Sequence, residues 1–233
     1  MTTLQIVLLC VTSVLALIFI VARTLKGGLL GLTLKIVASF GFVATAIVGL
    51  GTAPVLSDKW PLILITLGLL CGMIGDIVLD LKVIYDADKW YLNAGMTSFF
   101  IGHVFYIVAF SLLAGDTSLT LPLIVSAGAG IVLTVGTLLL GKKAMGLDFG
   151  NFIVPTAAYS IILNMATVYT LYLAILGACS WLIFVGLALF LLSDLVLSQQ
   201  YFGGKLHSKP LIAINHTLYY AAQIILVASL FLI

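Results

Sequence analysis

A small set of acidic, imidazole and phenolic side chains stands inside segments that are otherwise apolar. The first such group is Asp76 and Asp80, four residues apart; the second is Asp194 with Ser193 before it and Ser198 four residues on. Residues at i and i+4 share one helix face, so each pair points the same way. His103 and Tyr106 follow in the next apolar run, Tyr159 and Asn164 in a later one. His216, Tyr219, Tyr220 and Gln223 recur at helical spacing in the last. An aspartate at the centre of a membrane helix costs about 2.5–3.5 kcal/mol to insert, so it is expected to face a bundle interior and to mark function. Two carboxyl groups meeting in a poorly hydrated cavity can hold one proton between them at neutral pH. Such a pair donates a proton and activates a water, the logic of acid-catalysed ether or acetal hydrolysis. The plainer alternatives are that Asp80 ends its span beside Lys82, and that the histidines and tyrosines form interhelical hydrogen bonds.

Other chemistries find no support in the spacing. No nucleophile elbow, Ser-His-Asp order or His-Glu-x-x-His metal motif is present. The run Gly72-Met73-Ile74-Gly75-Asp76 has one residue too many for the GxGD motif of intramembrane proteases. Cys10, Cys71 and Cys179 lie far apart in apolar runs and read as small buried hydrophobes.

The elements that must carry these groups are membrane helices. The chain is 63% hydrophobic and 8% charged, against about 25% charged in soluble domains. All 8 of its acids are aspartates, and a net charge of +2 argues against a nucleic-acid partner. Its surface must therefore face lipid. A span needs about 20 apolar residues, and eight such segments are expected, at 4–22, 29–51, 61–81, 92–114, 119–140, 152–172, 178–200 and 210–232. The first is long enough to span and lacks a basic leader and cleavage site, so it reads as a membrane helix and not a signal peptide. The sixth and seventh are joined by almost no polar loop. Trp60 and Trp90 flank spans as interface anchors, and Gly128, Gly130 and Gly136 suggest close packing of the fifth span. Asp58, Asp86, Asp88, Asp116 and Asp148 read as solvated loop residues.

Eight spans put every lysine and arginine except Lys59 on one side, counting Arg23 and Lys35 with the loop residues. The positive-inside rule makes that side cytoplasmic, with both termini outside the cytoplasm. Asp76, Asp80 and Asp194 then lie in the cytoplasmic third, at the ends of spans three and seven. The pattern small-Asp-x-Val-Leu-polar, Gly75 to Asp80, recurs at Ser193 to Ser198, and His103-x-x-Tyr106 recurs at His216-x-x-Tyr219. Matching spans are four apart and point the same way, which suggests two parallel four-helix halves within a single domain covering 1–233.

Gly75-Asp76 with Leu79, Gly102-His103 with Tyr106, Leu192-Ser193-Asp194, and Tyr219-Tyr220-Ala221-Ala222-Gln223 resemble, in this order, the motifs of the YhhN family. That family includes bacterial membrane proteins and the animal lysoplasmalogenases. Asp80 and His216 have no clear match in the pattern. The resemblance implies an eight-helix hydrolase of the cell membrane that cleaves the vinyl ether bond of a lysophospholipid, releasing a fatty aldehyde and glycerophosphoethanolamine or glycerophosphocholine. It implies no metal or organic cofactor. Asp76 and Asp194 would be the acid and base pair, with His103, Tyr106, Tyr219 and Gln223 positioning water or stabilising the cation. Two other classes fit the paired aspartates: a proton-coupled transporter, and a sensor or scaffold.

Overall fold

The computed structural model describes residues 1–52, 59–85, 89–115 and 118–231. Every apolar segment is a helix: α1 (Thr3–Leu25), α2 (Gly28–Thr52), α3 (Trp60–Tyr85), α4 (Lys89–Leu113), α5 (Thr120–Ala144), α6 (Ile153–Ile175), α7 (Trp181–Tyr201) and α8 (Lys209–Leu230). All eight are long and apolar enough to cross a membrane, and no strand occurs among the described residues. The shortest, α7 with 21 residues, is about 32 Å long at 1.5 Å per residue, enough for a hydrocarbon core of about 30 Å. Val132, Leu140, Ile124 and Val154 are among many large aliphatic side chains left more than half exposed, a surface that only lipid can cover.

The helices outrun the apolar windows at most ends, and the extra turns matter. α1 continues past Arg23, which the sequence pattern places in a loop, and buries it. A short link with Gly27 (φ 63°) and Gly28 (φ 60°) then reverses the chain. Both dihedrals lie in the left-handed region that glycine alone adopts at no steric cost. The turn brings Lys35, one helix on, back alongside Arg23. The uncertain boundary between the sixth and seventh spans is a short turn through Gly177 (φ 70°), after which the Ser180 hydroxyl caps α7 by accepting from the Leu182 amide at 3.3 Å.

Packing closes a ring in the order α1, α2, α3, α4, α6, α7, α8 and back to α1, with α5 docked outside against α6 and α2 also touching α8. Adding four to each helix number carries the α1–α2, α2–α3, α3–α4 and α4–α6 contacts onto α5–α6, α6–α7, α7–α8 and α8–α2. This is the contact pattern that two parallel halves would give. It breaks at one place: α1 packs on α8, and α5 makes no contact of comparable extent with α4. Gly130 alone among the three α5 glycines supports close packing, since a Cβ there would lie 2.9 Å from the Ile161 carbonyl oxygen, whereas Gly128 and Gly136 face open space. The core is aromatic, with Tyr106, Tyr169, Tyr220, Phe19, Phe42, Phe110 and Phe190 fully buried. Trp60 and Trp90 are well exposed, as interface anchors are. Asp148 is exposed and turns back to accept from the Gly150 amide at 3.0 Å; Asp58, Asp86, Asp88 and Asp116 lie outside the described residues.

Candidate active site

One end of α3 carries two buried acids, and two buried bases meet them there. Lys35 Nζ stands 3.3 Å from both Asp76 Oδ1 and Asp80 Oδ1, and Arg23 Nη2 lies 3.4 Å from Asp80 Oδ1. All four side chains are almost wholly buried. Asp80 is therefore not a span end beside Lys82 but half of an interior ion-pair network. The reason is mutual: each charge would be costly alone in a low-dielectric interior, and each neutralises another. The positive-inside count loses Arg23 and Lys35 to this network; the loop lysines still fall on the same side.

Asp76 is fully engaged. Its Oδ2 accepts from the Ser39 hydroxyl at 2.7 Å and from the Tyr219 hydroxyl at 2.8 Å, while Oδ1 takes the lysine. Ser39 also meets the Tyr220 hydroxyl at 2.9 Å, and Gln223 Nε2 donates to Tyr219 Oη at 2.9 Å. A carboxyl with three donors, one of them cationic, is held as a carboxylate.

Asp194 has the opposite surroundings. No cation pairs with it among the described residues. The Tyr159 hydroxyl donates to its Oδ2. Its Oδ1 has a 3.4 Å contact with Ser193 Oγ, but that hydroxyl already donates to the Phe190 carbonyl at 2.7 Å. A hydroxyl carries one proton, so Asp194 Oδ1 has room for a proton of its own. Ser193 in turn is located by α8, through Asn215 Nδ2 donating to its carbonyl at 2.8 Å.

The two aspartates face each other through rings. Phe99 contacts both Tyr159 and Tyr219, at centroid separations of 6.2 and 6.3 Å, and Phe190 lies edge-on to Phe99 and Tyr219. A cavity of about 140 Å³ opens beside this cluster. Arg23, Lys35, Asp80, Tyr159, Asn164, Asp194, His216 and Tyr219 all border it. The α5 and α7 side contributes Leu138, Leu191, Leu195 and Leu197. The cavity is thus charged at one end and aliphatic at the other.

Asp76, Tyr106, His103, Tyr220 and Gln223 do not border the cavity. Asp76 stands behind Tyr219. His103 packs among Tyr106, Tyr159 and Phe190, with Nδ1 on the Phe99 carbonyl at 2.8 Å and Nε2 buried without a partner. His216 sits against Phe19 at 4.8 Å. Asn164 donates to Thr134 Oγ1 at 3.1 Å, tying α6 to α5. Arg23 and Lys35 were missed as site residues because a basic residue near a span end reads as a topology signal. The available clue was their ratio: two unexplained acids in one span call for two bases.

An all-helical membrane bundle with a charged, ring-walled cavity at one end defines the class of protein. The sequence profile described as "YhhN family" matches residues 32–230, and the chain belongs to that family. Neither a curated protein nor a solved structure matches it.

Proposed function

We propose that the protein is a hydrolase of the cell membrane that cleaves the vinyl ether bond of a lysophospholipid, lysoplasmalogen being the substrate that YhhN membership is consistent with. The observation that carries this reading is the pairing of an uncharged-partner carboxyl, Asp194, with an amphipathic cavity. In the reaction R–CH=CH–O–R′ + H₂O → R–CH₂–CHO + HO–R′, Asp194 gives its proton to the alkenyl carbon one removed from oxygen. The C=C electrons form the new C–H bond, and the ether oxygen's lone pair stabilises the adjacent oxocarbenium carbon. Water adds to that carbon and returns a proton to the Asp194 carboxylate. The hemiacetal then collapses, the C–O bond to the glycerol breaks, and aldehyde leaves with glycerophosphoethanolamine or glycerophosphocholine.

Asp194 is the catalytic residue in this scheme, with Tyr159 orienting it. Tyr219 faces the reacting carbon and turns its oxygen toward the developing cation, because its hydroxyl proton is committed to Asp76. Asp76 is thus a positioning residue, and its negative charge is felt through that phenol. His103, Tyr106 and Gln223 hold the wall behind. The lysine-rich loops put the cavity end of the bundle in the cytoplasm and both termini across the membrane.

The test is aldehyde release by detergent-purified protein given lysoplasmalogen or its saturated ether analogue. Release from the vinyl ether alone, lost in Asp194→Asn, is the expected result. Solute movement across liposomes with no aldehyde from any lysolipid would instead favour a proton-coupled transporter.

A further inference from the structure

Two atoms of the buried charge network are left over. Arg23 Nη1 and Asp80 Oδ2 are buried and have no hydrogen-bond partner, although Arg23 Nη2 and Asp80 Oδ1 face each other at 3.4 Å. Both residues border the cavity. A donor and an acceptor left open side by side in a low-dielectric site are costly unless something fills them. The four charges of Arg23, Lys35, Asp76 and Asp80 sum to zero, so the filler that adds no net charge is itself a zwitterion. Arg23 belongs to α1 and lies before the family match begins at residue 32, so the match assigns it no role.

We propose that this corner is a head-group subsite for a phosphoethanolamine zwitterion, with Arg23 Nη1 donating to a phosphate oxygen and Asp80 Oδ2 accepting from the primary ammonium. The proposal rests on the hydrolase reading for its orientation but not for its binding. The order along the cavity, charged corner, Asp194, aliphatic wall, is the order of head group, ether and chain in a lysolipid. A quaternary choline ammonium has no N–H and leaves Asp80 Oδ2 unsatisfied. A phosphoglycerol head group brings a net negative charge against a network that is already neutral, and carries no ammonium for Asp80.

The experiment measures binding to purified protein of saturated ether lysolipids, which cannot be cleaved at a vinyl bond. They share one chain and carry phosphoethanolamine, phosphocholine or phosphoglycerol. The wild type should bind the ethanolamine form about tenfold tighter than either other form, the size of one charged hydrogen bond. Asp80→Asn should erase that preference while Arg23→Gln weakens all three. Equal affinity of the wild type for the ethanolamine and choline forms overturns the proposal. So does an Asp80→Asn protein that keeps the preference. Should Asp80→Asn not fold, the wild-type ranking decides alone. Head-group discrimination without aldehyde release from lysoplasmalogen would sink the hydrolase reading and leave the subsite standing; aldehyde release without discrimination would do the reverse.

Discussion

The same short pattern in α3 and α7 has been put to opposite uses. In α3, Gly75-Asp76-Ile77-Val78-Leu79-Asp80 presents two acids to two bases, and every strong interaction there is an ion pair or a hydrogen bond to one. In α7, Ser193-Asp194-Leu195-Val196-Leu197-Ser198 presents one acid to a phenol, and Ser198 bonds back to the Leu195 carbonyl of its own helix at 2.7 Å. The backbone placement is shared; the counter-charges are not. α1 and α2 supply Arg23 and Lys35, while their counterparts by number, α5 and α6, place no basic residue near Asp194. A carboxyl tied to cations is fixed in one state of charge, and a carboxyl with only neutral neighbours is free to exchange a proton. Division of labour between the halves follows from which helices carry the bases.

The largest effect expected from this contrast is on Asp194. Asp194→Asn should lower the rate of aldehyde release by about 10²–10⁴-fold, the usual span for loss of a general acid, with the melting midpoint in detergent nearly unchanged because no ion pair is broken. A variant that keeps a tenth of the rate would show that the proton comes from elsewhere. Asp76→Asn should do the converse in stability, costing about 3 kcal/mol because Lys35 loses one of its two anions in a buried site. Its rate should fall as well, through Tyr219. Adding Lys35→Met to Asp76→Asn should weaken stability further than either change alone if Asp80 depends on the lysine, and a melting series of the three proteins reads that coupling directly.

Much of the bundle was legible because lipid imposes one rule on every span. Helix number, direction and the eight segments follow from apolar length, and the extension of the helices past those windows is invisible only because polar end residues are hidden among partners that the sequence does not pair. Asp76 and Asp194 were legible as misfits in apolar helices. Arg23 and Lys35 were not, since a base near a span end has an ordinary reading as a loop charge. What decides between loop and interior is the α1–α2 turn, which carries both back against α3. The place of His103 was equally hidden: spacing puts it on the right helix, but the surrounding rings, drawn from α4, α6 and α7, wall it off from the cavity.

Of intermediate size are the two tyrosines. Tyr159→Phe removes the one hydroxyl that donates firmly to Asp194 and should slow turnover about tenfold, since a hydrogen bond to a carboxyl group is worth roughly 1.5 kcal/mol. Tyr219→Phe leaves Asp76 with Ser39 and Lys35 and should cost less in stability than Asp76→Asn does. If the two phenylalanine variants had equal effects on rate and on melting, the claimed difference between a working carboxyl and an anchored one would be lost.

The smallest effect separates the halves at their outer helices. Thr12 and Thr45 join α1 to α2 by a 3.1 Å hydroxyl contact, and Thr134 and Asn164 join α5 to α6 by a 3.1 Å bond. Each is a single neutral interhelical bond, worth about 0.6 kcal/mol in a membrane bundle. Thr45→Val removes the first in a place remote from the cavity, and should shift melting slightly and turnover not at all. Thr134→Val strips the Asn164 amide of its partner on α5, and Asn164 borders the cavity. The stability cost should be similar, but here substrate affinity should change as well, because the freed amide and the loosened α5 form part of the wall. Equal KM values for the two variants would mean that α5, docked outside the ring, contributes nothing to the site.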